Sequence, residues 1–291
     1  MKKMITSVGI GLVCLIAAPN AKAQSNGEFH LDKTYSIGAS GTLYLNSEDA
    51  EVRITGSNRT DVHVKIDRTQ QIKGFSSGRS EFNVLVENRG DDLHIIERER
   101  SGVRIQMGSI RTDYRIDIEL PESASLRVKG EDDDYVVRNV SGKIYMETED
   151  GDIEIIDCRS TNLEFRLEDG DLKIDGGSGS LTVESEDGDI EVRRGDFRDI
   201  DIDVEDGDVM LETSLADDGR YILRGEDSSI DFTVTNGGGE FSILKDDGSV
   251  RASSAFETVR ETDHRSELKL AGGKANIEIR TEDGRVRLSK N

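Results

Sequence analysis

The sequence predicts an all-β protein: a single-stranded β-solenoid with coils of ~18–20 residues and wider, irregular coils at its N-terminal end. Three observations predict it. A Glu-Asp-Gly-Asp motif returns in phase, as "EDGDIEI" at 149–155, "EDGDLKI" at 168–174, "EDGDIEV" at 186–192 and "EDGDVML" at 205–211. Segments of alternating apolar residues flank the copies on both sides, as expected for strands with one buried face. Only two prolines occur in 291 residues, and no window keeps a helical period.

The first 23 residues read as a cleaved signal peptide. Lys2 and Lys3 form a basic start, Met4 to Ala18 is mostly apolar, and Ala21-Lys22-Ala23 is a small-x-small cleavage signal. With Pro19 in it, the stretch is poorly suited to span a bilayer. The mature chain is expected to begin at Gln24, in an exported location, periplasmic or extracellular. Cleavage removes three lysines and no acid, so the formal charge deepens from −22 to −25. Such a surface repels nucleic acid and anionic lipid and draws cations or basic partners. A solvated, soluble surface is the plainer account of the same charge. After the signal no stretch is apolar for long enough to form a transmembrane helix, and Cys158 is the one remaining cysteine. No intramolecular disulfide can then staple the mature fold, and packing must hold it.

From 24 to 121 the period is worn. A weak first copy, "SEDAEVRI", sits at 47–54, and strand-like runs such as "TLYLN", "DVHVKI" and "YRIDIELP" persist. The stretches 72–80 and 97–109 read as longer loops or insertions. Irregular coils continuous with the later stack account for this part. A separate domain is the alternative, although no Pro/Gly/Ser-rich linker marks a boundary.

From 122 to 291 the repeats are regular. The glycine slot falls at Asp133, Gly151, Gly170, Gly188, Gly207, Ser228, Gly248 and Gly284, in steps of 18, 19, 18, 19, 21, 20 and 36. The last step reads as two periods, with a degenerate copy at "HRSELKL" (264–270) that keeps Leu268 and Leu270 in the strand slots. An antiparallel meander would also use Asp-Gly turns. It gives no reason for the same four polar residues to return in phase, whereas stacked coils place each position on its own copy.

The signal segment, the block "GTLYLNSEDAEVRITGSNRTDVHVKI", the run "YRIDIELPESASLRVKG" and the array "VSGKIYMETEDGDIEI" together resemble the bacterial exported "putative adhesin" family of β-strand-repeat proteins, a domain of unknown function. The resemblance covers roughly 36–288. It implies a right-handed β-solenoid, an envelope or extracellular location, and no known catalytic residues. Acidic "EDGD" turns stand where many relatives use simpler Ser-Gly turns.

The chemistry in the motif has two readings. In-register coils would place Asp150, Asp169, Asp187 and Asp206 in one file and Asp152, Asp171, Asp189 and Asp208 in another. Unit charges ~4.8 Å apart repel by roughly 0.9 kcal/mol in water, and more at lower dielectric. Hard oxygen ligands of this kind suit Ca²⁺, which makes these eight aspartates a candidate Ca²⁺ ladder. The other reading is turn chemistry, since Asp and Gly favour tight corners and edge acids discourage aggregation. Apart from Ca²⁺, no cofactor is expected.

Enzymatic signatures are missing: His30, His63, His94 and His264 lack ligand spacing, and no nucleophile elbow or phosphate loop occurs. The expectation is a non-catalytic, adhesin-like binding or structural element of the cell envelope, whose partner is an unknown envelope protein or glycan. The alternatives are a Ca²⁺-stabilised envelope scaffold, self-associating end to end, or a solenoid carbohydrate-active enzyme with a cleft near 70–110.

Overall fold

A computed structural model describes residues 28–77, 81–100 and 105–291; the segment read as a signal peptide and the expected start at Gln24 lie outside them. The described secondary structure is all strand, in 23 segments. Period-2 alternation does what it predicts. In Ile144–Asp150, Ile144, Met146 and Thr148 are buried while Tyr145 and Glu147 stay partly exposed.

Each regular coil is a strand, a Glu-Asp-Gly-Asp corner, a second strand and a second corner. The first strands stack as a front sheet: Ser125–Lys129, Ile144–Asp150, Asn162–Asp169, then 180–187, 199–206 and Arg220–Asp227, parallel and in register. The second strands stack as a back sheet: Asp134–Arg138, Ile153–Cys158, then 172–179, 190–197, Val209–Ser214 and Ile230–Asn236. The inward residues of both sheets form one apolar core, with Leu126, Ile144, Leu163 and Leu181 in the front and Ile153, Leu172, Ile190 and Val209 in the back. Each such side chain contributes about 1.5–3 kcal/mol on burial. The protein is thus a β-solenoid, held by packing and by ladders that run the length of the stack.

The second corner uses left-handed backbone at Asn139, Asp157, Gly176 and Arg194, with φ of 55°, 50°, 77° and 51°. Behind it the interior narrows. A Cβ on Gly177 would lie 2.4 Å from Phe197 Cζ, so the missing side chain is the space that the Phe197 ring occupies.

At both ends the order of coils in space departs from their order in sequence. The first coil, Thr42–Asn46 with Glu51–Ser57, lies between the strands Asp92–Arg100 and Ile105–Pro121 on one side and the coil at 125–138 on the other. The last coil, Ala275–Thr281 with Arg285–Lys290, lies between the coil at 220–236 and the coil at 239–252. Antiparallel strands finish the stack. Phe29–Ser36 and Asp61–Ser77 do so at the N-terminal end of the back sheet, and Glu81–Arg89 does so for the front sheet. At the C-terminal end the hairpin of Phe256–Glu261 and Arg265–Leu270 pairs with Gly239–Lys245.

Two expectations are corrected here. The segment 264–270 is not a degenerate parallel coil, although Leu268 and Leu270 are buried as the strand slots required. Without the corner glycine the chain reverses instead, through a turn in which the Thr262 amide donates to the Arg265 carbonyl at 2.8 Å. Residues 72–77, 97–100 and 105–109, read as loops, belong to strands. The ribbon at 69–74 is largely exposed on both faces, so period-2 alternation had no reason to appear there. The remainder of those two stretches, 78–80 and 101–104, lies outside the described residues.

Candidate functional site

The Glu-Asp-Gly-Asp corners form one continuous edge. Each glycine is required twice over. Gly151, Gly170, Gly188 and Gly207 hold φ between 126° and 135°, a region that side chains disfavour. A Cβ at Gly170, Gly188 or Gly207 would also sit 2.2–2.4 Å from the carbonyl oxygen of the glycine one coil before.

Around this spine the two predicted files of aspartate take different jobs. The aspartate after the glycine serves the backbone. Asp152 Oδ1 accepts the amide of Asp171 at 3.0 Å, Asp171 Oδ1 that of Asp189 at 3.1 Å, and Asp189 Oδ1 that of Asp208 at 2.9 Å. Asp134 begins this ladder on Asp152, and Asp208 ends it on the Ser229 amide. Each carboxylate thereby satisfies a backbone donor that the corner takes out of the regular strand ladder.

The aspartate before the glycine points the other way in purpose. Asp150, Asp169, Asp187 and Asp206 are direct register partners, exposed and side by side. Glu149, Glu168, Glu186 and Glu205 run beside them, equally exposed. None of these eight carboxylates has a hydrogen bond or ion pair among the described residues. Elsewhere the faces are neutralised in place: Arg166 meets Glu164 and Glu184, Arg194 meets Asp175 and Asp157, and Arg224 meets Asp201 and Asp203. Among the described residues no group of three or more His, Cys, Asp and Glu side chains is arranged to hold a metal ion.

The histidines lie apart. His30 pairs with Asp67 and His63 with Asp32, while His94 stacks on Tyr44 with ring centroids 4.3 Å apart. Cys158 is buried, and burial pushes its thiol pKa up.

At the N-terminal end the edge turns inward into a buried polar cluster that the sequence pattern did not single out. Asp133 occupies the glycine slot, is fully buried, and accepts the Ala50 amide at 2.7 Å, Tyr135 Oη at 3.0 Å and Ser47 Oγ at 3.1 Å. Burial raises its carboxyl to about 6. Glu97, beside Tyr114 and holding the Glu48 amide at 3.3 Å, is pushed by burial to about 7. Arg68 lies over the Phe82 ring, 4.2 Å from its centroid, and is buried. "EDDD" at 131–134, an aspartate where most corners have glycine, was the available signal.

These features define an all-β solenoid with one acidic edge of aligned corners. A sequence profile described as Toastrack DUF4097 matches residues 41–289, and the chain belongs to that family. Solved structures resemble it at low identity. One is described as "a putative cell adhesion protein" from Clostridium sporogenes, with 13% identity, TM-score 0.29, and 90% of this chain and 100% of that chain covered. Another is "a putative adhesin" from Bacteroides fragilis, with 11% identity, TM-score 0.49, and coverage of 89% and 96%. A third is a "putative lipid binding protein" from Parabacteroides distasonis, with 13% identity, TM-score 0.38, and coverage of 91% and 97%. No curated protein matches the chain. Among the described residues no helix is long and apolar enough to cross a membrane.

Proposed function

We propose that this chain is an exported, non-catalytic binding element of the cell envelope, and that the acidic corner edge is its contact surface for a cation-bearing protein or glycan. The observation that carries the reading is the row of eight unpaired carboxylates over four successive coils. A fold that needs only the second aspartate of each corner for its backbone gives the first aspartate and the glutamate no internal task. Single exposed ion pairs contribute at most about 1 kcal/mol. A row with ~4.8 Å spacing turns many weak contacts into avidity.

Binding of oligolysine or chitosan to the immobilised protein tests this at low and at physiological salt. The reading expects binding that weakens with salt, and a loss of about tenfold or more when Asp150, Asp169, Asp187 and Asp206 are all changed to Asn. Salt-insensitive binding, or unchanged binding by that variant, would overturn it. Export is checked by N-terminal sequencing of protein secreted from a bacterial host, with Gln24 as the expected first residue. The same free oxygens carry the Ca²⁺-stabilised reading, because Oδ1 of the second file is already engaged by backbone. That reading requires a melting-temperature rise with CaCl₂ over EGTA beyond the effect of matched ionic strength, and one that the fourfold Asn variant loses.

A further inference from the structure

The ends of the stack leave four strands paired on one side only among the described residues: Phe29–Ser36, Glu81–Arg89, Ser249–Ala252 and Phe256–Glu261. Open edges are templates for a further strand. Two of them carry charged side chains already paired within their own sheet, and one is short. His30 and Asp32 are tied to Asp67 and His63, Arg89 is tied to Glu87, and Ser249–Ala252 has four residues.

Phe256–Glu261 is different. Its register on Arg265–Leu270 runs Glu257 to Lys269, Thr258 to Leu268, then Arg260 to Glu267, with a bulge that takes Val259 out of the ladder. In a regular strand, residues three apart face opposite sides. The bulge places Glu257 and Arg260 on one side, as their partners Lys269 and Glu267, two residues apart, require. Neither the Glu257 nor the Arg260 side chain makes a hydrogen bond or ion pair among the described residues. Val259 is 63% exposed, more than any other exposed large apolar side chain described.

We propose that this edge pairs with the same edge of a second copy of the chain, antiparallel and two-fold about Thr258. A two-fold axis there sets Glu257 opposite Arg260 of the second copy, and Arg260 opposite its Glu257. The row across the junction then reads Lys269, Glu257, Arg260, Glu267, alternating in sign, and opposite charges directly across strands stabilise a sheet. Thr258 meets its own copy at the centre, and the two Val259 residues lie beside it, inside the interface. Edge charges and bulges commonly protect a strand from pairing. Here their signs and spacing are self-complementary, which is what a closed two-fold interface requires. One strand pair falls below the ~1,200 Å² of a stable complex, so the dimer is weak and forms at high concentration.

Sedimentation velocity of the purified protein over a concentration series tests the proposal. The expected result is a monomer–dimer equilibrium. Glu257→Arg alone and Arg260→Glu alone each place like charges across the axis and abolish the dimer; each also faces a like charge on its own hairpin partner, Lys269 or Glu267, which lowers the melting temperature by no more than about 2–4 °C. An equimolar mixture of the two variants restores it, since every cross-axis pair is again opposite in sign. A wild type that stays monomeric to about millimolar concentration, single variants that dimerise as well as wild type, or a mixture that stays monomeric would each overturn the assignment.

Discussion

Gly188→Ala puts a methyl group where the corner leaves no room. The backbone there holds φ +134°, and a Cβ built on it lies 2.2 Å from the Gly170 carbonyl oxygen. That is about 1 Å short of the ~3.3 Å at which a carbon meets a carbonyl oxygen. Two costs add. Holding a side chain in a glycine-only backbone region costs about 1–3 kcal/mol. Relieving the overlap pushes one coil off the next, an overpacking cost of about 1–3 kcal/mol. The total is about 2–6 kcal/mol, equivalent to a fall in Tm of roughly 4–24 °C for a chain of this size. Gly90 supplies the control, because it also has positive φ, +66°, but nothing lies within 4 Å of its Cβ position. Gly90→Ala should cost about 1–2 kcal/mol from backbone strain alone. Urea titration followed by far-UV circular dichroism measures both. If the two variants fall within about 0.5 kcal/mol of each other, the close approach of corner to corner is not what fixes glycine in the motif.

The buried carboxyl of Glu97 makes stability depend on pH. Its carboxyl is raised from 4.5 to about 7 in the fold, so the stabilising protonated form is fully present below 4.5 and is lost as pH rises through 7. Glu97→Gln stays neutral, and it should therefore melt higher than wild type at pH 8, by about 1–3 kcal/mol, with the difference vanishing near pH 4. Phe197→Ala should cost about 3–5 kcal/mol by chemical denaturation, and adding Gly177→Ala should recover part of it by filling the space that the ring vacates. The intercalated last coil can be trapped chemically. Cysteines at Asp231 and Arg287, neighbours in register, should oxidise to a disulfide, whereas cysteines at Asp231 and Arg251, two strands apart, should not.

The sequence carries the fold at the level of one coil and is silent on the order of coils. Alternation at Ile144/Met146 and Ile153/Ile155 names the inward faces, and the recurring glycine marks the corner. Because most corners carry the same Glu-Asp-Gly-Asp chemistry, the motif does not say which coil stacks on which, and periodicity cannot show that 275–290 slips in before 239–252. The step of 36 residues reads as two periods for the same reason, although the extra length is the hairpin at 256–270. The stretch 72–74 reads as a loop because a ribbon exposed on both faces needs no alternation. At the site, the two aspartate files were legible as files, since spacing fixes them. Their division of labour was not, because only geometry shows that Asp171 meets the Asp189 amide while Asp169 meets nothing. Asp133 was readable as an oddity in the glycine slot; that it turns inward to hold Ala50, Ser47 and Tyr135 depends on a coil 83 residues away in sequence.

The central claim is that the aspartate after each corner glycine is bonded to the backbone of the next coil in register, which leaves the neighbouring acids free to face a partner. Amide hydrogen exchange of the Asp189→Ala variant tests it residue by residue. The Asp208 amide, exposed yet bonded to Asp189 Oδ1 at 2.9 Å, should exchange slowly in wild type and about tenfold or more faster in the variant. The Asp171 amide, held by Asp152, should keep its protection. An Asp208 amide that exchanges equally fast in both proteins, or a loss of protection that spreads evenly over all the corners, would contradict the account.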